Sequence, residues 1–130
     1  MLINSEMIYA LQIVAYLYGS KKYVNTKRIA KDEKLSVLFV RKVATKLVNA
    51  GILTAIEGSN GGLMLKKNFP LADVVHAVGD PIVFAGRHKN KKIEKLLLDI
   101  KQRFLRTLNY TKINKIAKKG YWNAKSNIQE

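Results

Sequence analysis

The stretch Ala50-Gly51-Ile52-Leu53-Thr54-Ala55-Ile56-Glu57-Gly58-Ser59-Asn60-Gly61-Gly62-Leu63-Met64-Leu65 carries the reading of the fold. Ile52 to Ile56 is short and rich in β-formers. Glu57 to Gly62 holds three glycines and an asparagine, and Leu63-Met64-Leu65 begins a second apolar run. Two brief β-runs around a Gly/Asn turn predict a β-hairpin. Gly51 is the residue expected just past the end of a preceding helix.

Upstream of Gly51, Val40, Val43, Ala44, Leu47 and Val48 recur at helical spacing, with Leu38 or Phe39 one turn earlier. Ser36 is the expected cap of that helix, which runs to about Ala50. Lys34-Leu35 makes a tight turn. Before it, Thr26 caps a shorter helix, Lys27 to about Glu33, that buries Ile29 and Ala30. Tyr23-Val24 is a short extended piece, and Lys21 and Lys22 are solvated charge. The first helix begins at Glu6 behind Asn4 or Ser5. Its expected apolar face is Ile8, Leu11, Val14, Ala15, Leu17 and Tyr18, and Gly19 stops it.

Downstream of the hairpin, Pro70 opens a helix from Leu71 to about Val78, closed by Gly79-Asp80-Pro81. Residues 82–90 read as a connector. One long helix spans Lys91 to about Asn109, with Ile93, Leu97, Ile100, Phe104 and Leu108 on one stripe that Leu96 and Leu105 widen. Thr111 caps a last short helix with Ile113 and Ile116 inward. Gly120 ends it, and Tyr121 to Glu130 is a frayed tail.

Helix, short helix, turn, longer helix and Gly-rich hairpin, in that order, is the winged helix-turn-helix arrangement. The fold class is therefore mainly α with a small β-hairpin: a winged helix-turn-helix plus a long dimerisation helix. Residues 1–83 form the expected DNA-binding domain, 84–119 the connector, long helix and short C-terminal helix, and 120–130 a flexible tail.

Composition points the same way. The chain has 130 residues, room for one domain with an extension. Lys and Arg number 24 against 9 Asp and Glu, a formal charge of +15 that favours a polyanionic partner. Thirteen of the 24 basic residues lie in 86–130, so the C-terminal third is the most basic. No cysteine is present, which excludes disulfides and cysteine-held zinc or iron–sulfur clusters. No apolar run is long enough to span a membrane, and the N-terminus lacks the features of a signal peptide. A cytoplasmic protein with no membrane contact is the expectation. His76 and His88 have no companion at metal-ligand spacing. The glycine turn lacks the Gly-Lys-Ser/Thr of a phosphate-binding loop, and no nucleophile–base set is recognisable. Neither an enzyme nor a cofactor is expected.

Several segments together resemble the Rrf2-type bacterial transcription regulators. They are Tyr9-Ala10-Leu11, Thr26 to Ala30, Leu35 to Val40, Leu47 to Leu53, Glu57 to Leu65 and Pro70 to Val75. The resemblance is fullest over residues 1–83 and holds in outline over 84–119. It implies a homodimer on a roughly palindromic operator, most simply a repressor, with the long helix as dimerisation element through Ile93, Leu97, Ile100, Phe104 and Leu108. Many members hold an iron–sulfur cluster with three cysteines, and this chain has none. The start of the wing, often basic in the family, is Glu57 here.

The expected contacts to double-stranded DNA follow from this frame. Ser36 caps the recognition helix, and Val37, Leu38, Phe39, Arg41 and Lys42 lie on or near its first two turns. Arg41 suits a bidentate contact to guanine or a phosphate. Phe39 suits either the core or a place beside the sugar–phosphate chain. Thr26, Lys27 and Arg28 are expected to anchor the backbone, and Ser59, Asn60, Gly61 and Gly62 to bring the wing to DNA. A small-molecule or protein effector is compatible with the frame, and His88 is its weak pH-sensing candidate. Two other readings stand beside this one: a winged-helix module for protein interaction, and a charge-driven binder of any nucleic acid.

Overall fold

The computed structural model of the chain describes residues 2–80, 82–83, 90–118 and 120–122. The elements run β1 (Leu2–Ile3), α1 (Ser5–Leu17), α2 (Thr26–Glu33), α3 (Val37–Asn49), β2 (Leu53–Ile56), β3 (Gly62–Leu65), α4 (Leu71–Ala77), β4 (Ile82–Val83) and α5 (Lys91–Tyr110). A 3-10 turn, Ile113–Lys115, follows. The helix-turn-helix and its hairpin are present in the expected order, and the fold is mainly helical.

The hairpin pairs β2 with β3 antiparallel, Leu53 opposite Leu65 and Ile56 opposite Gly62. Val24 joins it through an isolated bridge to Leu63, each N–H donating to the other's carbonyl at 2.9 Å. A second, two-stranded sheet pairs Ile3 with Ile82 and Leu2 with Val83. Ile82-Val83 therefore begins as a strand rather than as loose connector. Its partner lies near the N-terminus, out of reach of any local pattern.

Helix α1 shows the largest shift of register from expectation. Its buried residues are Met7, Ala10, Ile13, Val14, Tyr16 and Leu17, while Ile8 and Tyr18 are exposed. The helix is apolar on nearly every side, so spacing alone does not select a face. Its cap is Asn4, whose Oδ1 accepts from the Glu6 N–H at 2.9 Å. The cap of α2 is Asn25 rather than Thr26: Asn25 Oδ1 accepts from the Lys27 N–H at 2.8 Å, and Thr26 is the first helical residue. Ser36 caps α3 as expected.

Helix α5 divides along its length. Its C-terminal turns pack on α4, with Leu108 buried and Phe104 and Leu105 half-buried. Leu108 thus belongs to the chain's own core, and Phe104 packs against that core, instead of both waiting for a partner. Near the other end Ile93, Leu96, Leu98 and Ile100 are exposed.

Past α5 the chain returns to the segment before α4. Leu71 N–H donates to the Thr111 carbonyl at 2.7 Å, and Ile113 N–H to the Phe69 carbonyl at 3.0 Å. Ile113 is fully buried as expected, but Ile116, the residue just past the 3-10 turn, is 40% exposed. Thr111 is not the cap of this turn; Lys112 holds that position. Nor do Tyr121 and Trp122 fray. Trp122 is buried, edge-on to both Tyr16 and Tyr121. Residues 84–89, with His88, and 123–130 lie outside the described residues.

Candidate nucleic-acid interface

The turn between α2 and α3 sets the angle of the exposed helix. Lys34 takes a left-handed conformation, φ 56°, and Leu35 N–H returns to the Ala30 carbonyl at 2.8 Å. Ser36 Oγ then accepts from the Phe39 N–H at 3.4 Å. Val40, Val43, Ala44 and Leu47 fill the core side of α3. Leu38, Arg41, Lys42, Thr45 and Asn49 are left on the outside. Leu38, in the first turn, is 78% exposed.

The hairpin stands beside this face. A crease of about 400 Å³ is lined by Asn25, Thr26, Arg41 and wing residues between Ala55 and Leu63. A neighbouring one, about 330 Å³, continues along Thr45, Val48 and Asn49. Thr26, Arg41 and the wing, far apart in sequence, therefore border one surface. Asn25, Thr45 and Asn49 were not among the expected contacts. Thr45 and Asn49 lie one and two turns beyond Arg41, a spacing that was there to be read.

Charge on this face is unevenly committed. Glu6 of α1 receives Lys46 Nζ at 2.6 Å on one oxygen and Lys42 Nζ at 3.1 Å on the other. The hydrogen bond from Lys46 holds the Glu6 carboxyl below the usual carboxylate range, against the opposing effect of burial. Arg41, by contrast, meets no carboxylate among the described residues, and neither does Lys27. Glu57 and the turn Gly58-Ser59-Asn60 are exposed at the wing tip.

Several expected contacts have duties within the protein. Phe39 is half-buried and packs edge-on against Tyr9, ring centroids 4.3 Å apart. Val37 is half-buried against the core. The Arg28 guanidinium lies 3.6 Å from Asp32 and 5.4 Å from the centre of the Trp122 ring. Gly61 and Gly62 answer to packing. A Cβ at Gly61 would stand 2.0 Å from the Ile56 carbonyl oxygen, and one at Gly62 would stand 2.3 Å from that of Val24. Both glycines are needed to close the hairpin on Val24 and itself, whatever else the wing touches.

Over residues 3–119 the sequence matches the Rrf2 family, described as an iron-dependent transcriptional regulator. The chain belongs to the Rrf2 family. Protein rrf2 of Nitratidesulfovibrio vulgaris is 34% identical over 65 residues, 48% of this chain and 43% of that relative, so the match spans less than half its length. Among solved structures, CymR of B. subtilis, a global cysteine regulator, aligns with TM-score 0.74 and 21% identity over 90% of this chain and 96% of its own. The oxidized form of Staphylococcus aureus CymR gives 0.76 and 20% over 91% and 97%. IscR of T. potens gives 0.67 and 17% over 87% and 83%. At these identities the structures share the fold.

As an Rrf2 member, this chain is a winged-helix transcriptional regulator and not an enzyme. The iron in the family description does not fit a cysteine-held cluster here, because the sequence has no cysteine. Among the described residues no three His, Asp or Glu side chains gather as metal ligands either. No helix of the described residues is long and apolar enough to cross a membrane.

Proposed function

We propose that this Rrf2 member is a homodimeric, sequence-specific repressor that binds a near-palindromic operator without an iron–sulfur cluster. The observation that carries the reading is the shared surface of Arg41, Thr26 and the wing, with Arg41 unpaired among the described residues. Arg41 enters the major groove and contacts a guanine edge. Thr26 and Lys27 at the start of α2, Ser36 at the start of α3, and Ser59 and Asn60 at the wing tip meet the sugar–phosphate backbone. Lys42 contributes charge while shared with Glu6.

The dimer reading is supported by the N-terminal half of α5. Ile93, Leu96 and Ile100 are exposed on one side of α5, while most large apolar residues among those described are covered. A second copy of α5 is the partner proposed, and two recognition helices about 34 Å apart would fit successive major grooves. In this reading 1–83 binds DNA and 84–119 assembles the dimer. The terminal segment adds Tyr121 and Trp122 to the body. A small effector fits the hollow of about 250 Å³ between α1, α2 and the C-terminal segment, with Tyr16, Glu33 and Tyr121 in its lining.

Fluorescence anisotropy on a labelled fragment of the protein's own upstream region tests the reading, across a salt series and against excess unrelated DNA. Specific binding by at least about a thousandfold, with a two-part footprint, is expected. Binding that vanishes under competitor would support charge-driven binding instead.

A further inference from the structure

Leu38 is the most exposed large apolar side chain on the DNA-facing helix. A lone exposed leucine on an arbitrary surface carries no information. This one sits in the first turn of α3, and the residues one turn on are Arg41, which meets no carboxylate among the described residues, and Lys42, which is shared with Glu6. Side chains of a helix lean toward its N-terminus, and that end of a recognition helix leads into the major groove. Leu38 therefore goes where Arg41 goes.

A leucine offers no hydrogen bond, so it cannot replace the water it strips from a polar base edge. Of the groups on the four base pairs in the major groove, the thymine 5-methyl is the apolar one. We propose that Leu38 reads the 5-methyl group of a thymine within two base steps of the guanine contacted by Arg41. The spacing follows from geometry: three residues advance about 4.5 Å along a helix, and successive bases of one strand are about 3.4 Å apart. This proposal rests on the DNA-binding reading above and gives it a chemical specificity: guanine through a guanidinium, thymine through its methyl.

The test uses the operator located by footprinting. Each thymine is replaced singly by deoxyuridine, which keeps base pairing and removes only the methyl group. One position per half-site should weaken wild-type binding about fourfold, the factor for one uncovered methyl group. Leu38→Ala should bind thymine and uracil operators alike, and Leu38→Met should retain part of the preference. Equal wild-type affinity for every uracil-substituted operator overturns the proposal while leaving the DNA reading intact. So does a preference that persists undiminished in Leu38→Ala. Failure to find any competitor-resistant complex overturns the DNA reading itself, and this proposal with it. Leu38→Ala that changes the association state of the DNA-free protein assigns Leu38 to a contact between copies, which also overturns it.

Discussion

The indole N–H of Trp122 donates to the backbone carbonyl of Tyr16, 106 positions earlier. That bond, with the rings of Tyr16 and Tyr121 and the Arg28 guanidinium around the indole, staples the end of the chain to α1 and α2. Trp122→Ala should cost about 3–5 kcal/mol, the range for emptying a buried aromatic site. Trp122→Phe should cost less, keeping much of the ring contact and losing the donor. Urea unfolding followed by circular dichroism measures both. Equal midpoints for wild type and Trp122→Ala would show that the segment is not docked. Trp122 is the chain's only tryptophan, so its fluorescence reports undocking directly.

Glu6 ties α1 to α3 through Lys42 and Lys46. Its carboxyl is held lower in the folded protein than in the unfolded chain, chiefly by the hydrogen bond from Lys46. The stabilisation is therefore complete above the unfolded value and is lost as pH falls through the lower folded value. Glu6→Gln should lower stability at pH 7 by about 1 kcal/mol or less, since Lys42 is exposed and Lys46 only half-buried, and solvent screens both pairs. The difference from wild type should close in acid. A gap independent of pH from 7 to 2 would show that the ion pairs are not its source. The same variant frees two lysines beside the DNA face, so its salt slope should steepen by about 1–2.

The wing glycines separate packing from contact. Gly61→Ala should lower the melting temperature and loosen hydrogen-exchange protection in β2 and β3, because the methyl group meets the Ile56 carbonyl. Ser59→Ala and Asn60→Ala, at exposed positions, should leave stability within about 0.5 kcal/mol and weaken DNA binding. The reverse ranking of stabilities would mean that the hairpin closes differently.

Arginines 28 and 41 should part company in the same assay. Arg41→Ala should cost about 1–3 kcal/mol of specific binding and relax base preference at one position, with stability unchanged. Arg28→Ala should chiefly affect folding stability, through Asp32 and Trp122. Lys27→Ala should weaken binding to all sequences evenly and lower the salt slope by about 1. Arg28→Ala that abolishes DNA binding in a fully stable protein would return Arg28 to the interface.

The two ends of α5 should answer to different experiments. Leu96→Asp, at an exposed position, should leave the protomer folded and shift sedimentation toward the monomer. Leu108→Ala should cost about 2–5 kcal/mol of protomer stability. Identical association for wild type and Leu96→Asp would remove this face from the dimer.

Most of the architecture was legible in the sequence because it depends on local chemistry. Ser36 caps α3 whatever lies around it, Gly51 permits the left-handed step, and the Gly/Asn turn separates two β-forming runs. The outward face of α3 was also legible once Val40, Val43, Ala44 and Leu47 had marked the inner one. The absence of cysteine ruled out a cysteine-held cluster by composition alone.

Tertiary structure decided what depends on distant partners. Periodicity could not orient α1, whose sides are nearly all apolar, so only its neighbours chose Ile13 over Ile8. Arg28 has the same charge as Arg41, but Trp122 and Asp32 lie against one and not the other. Leu108 shares a stripe with Ile93, yet Leu108 is buried in the chain's own core and Ile93 is exposed. Gly61 and Gly62, expected to bring the wing to DNA, are required in any case by the carbonyls of Ile56 and Val24. A chain's own residues specify how each segment can bend and which faces prefer burial. Which surface covers which follows only when segments far apart in sequence compete for the same space.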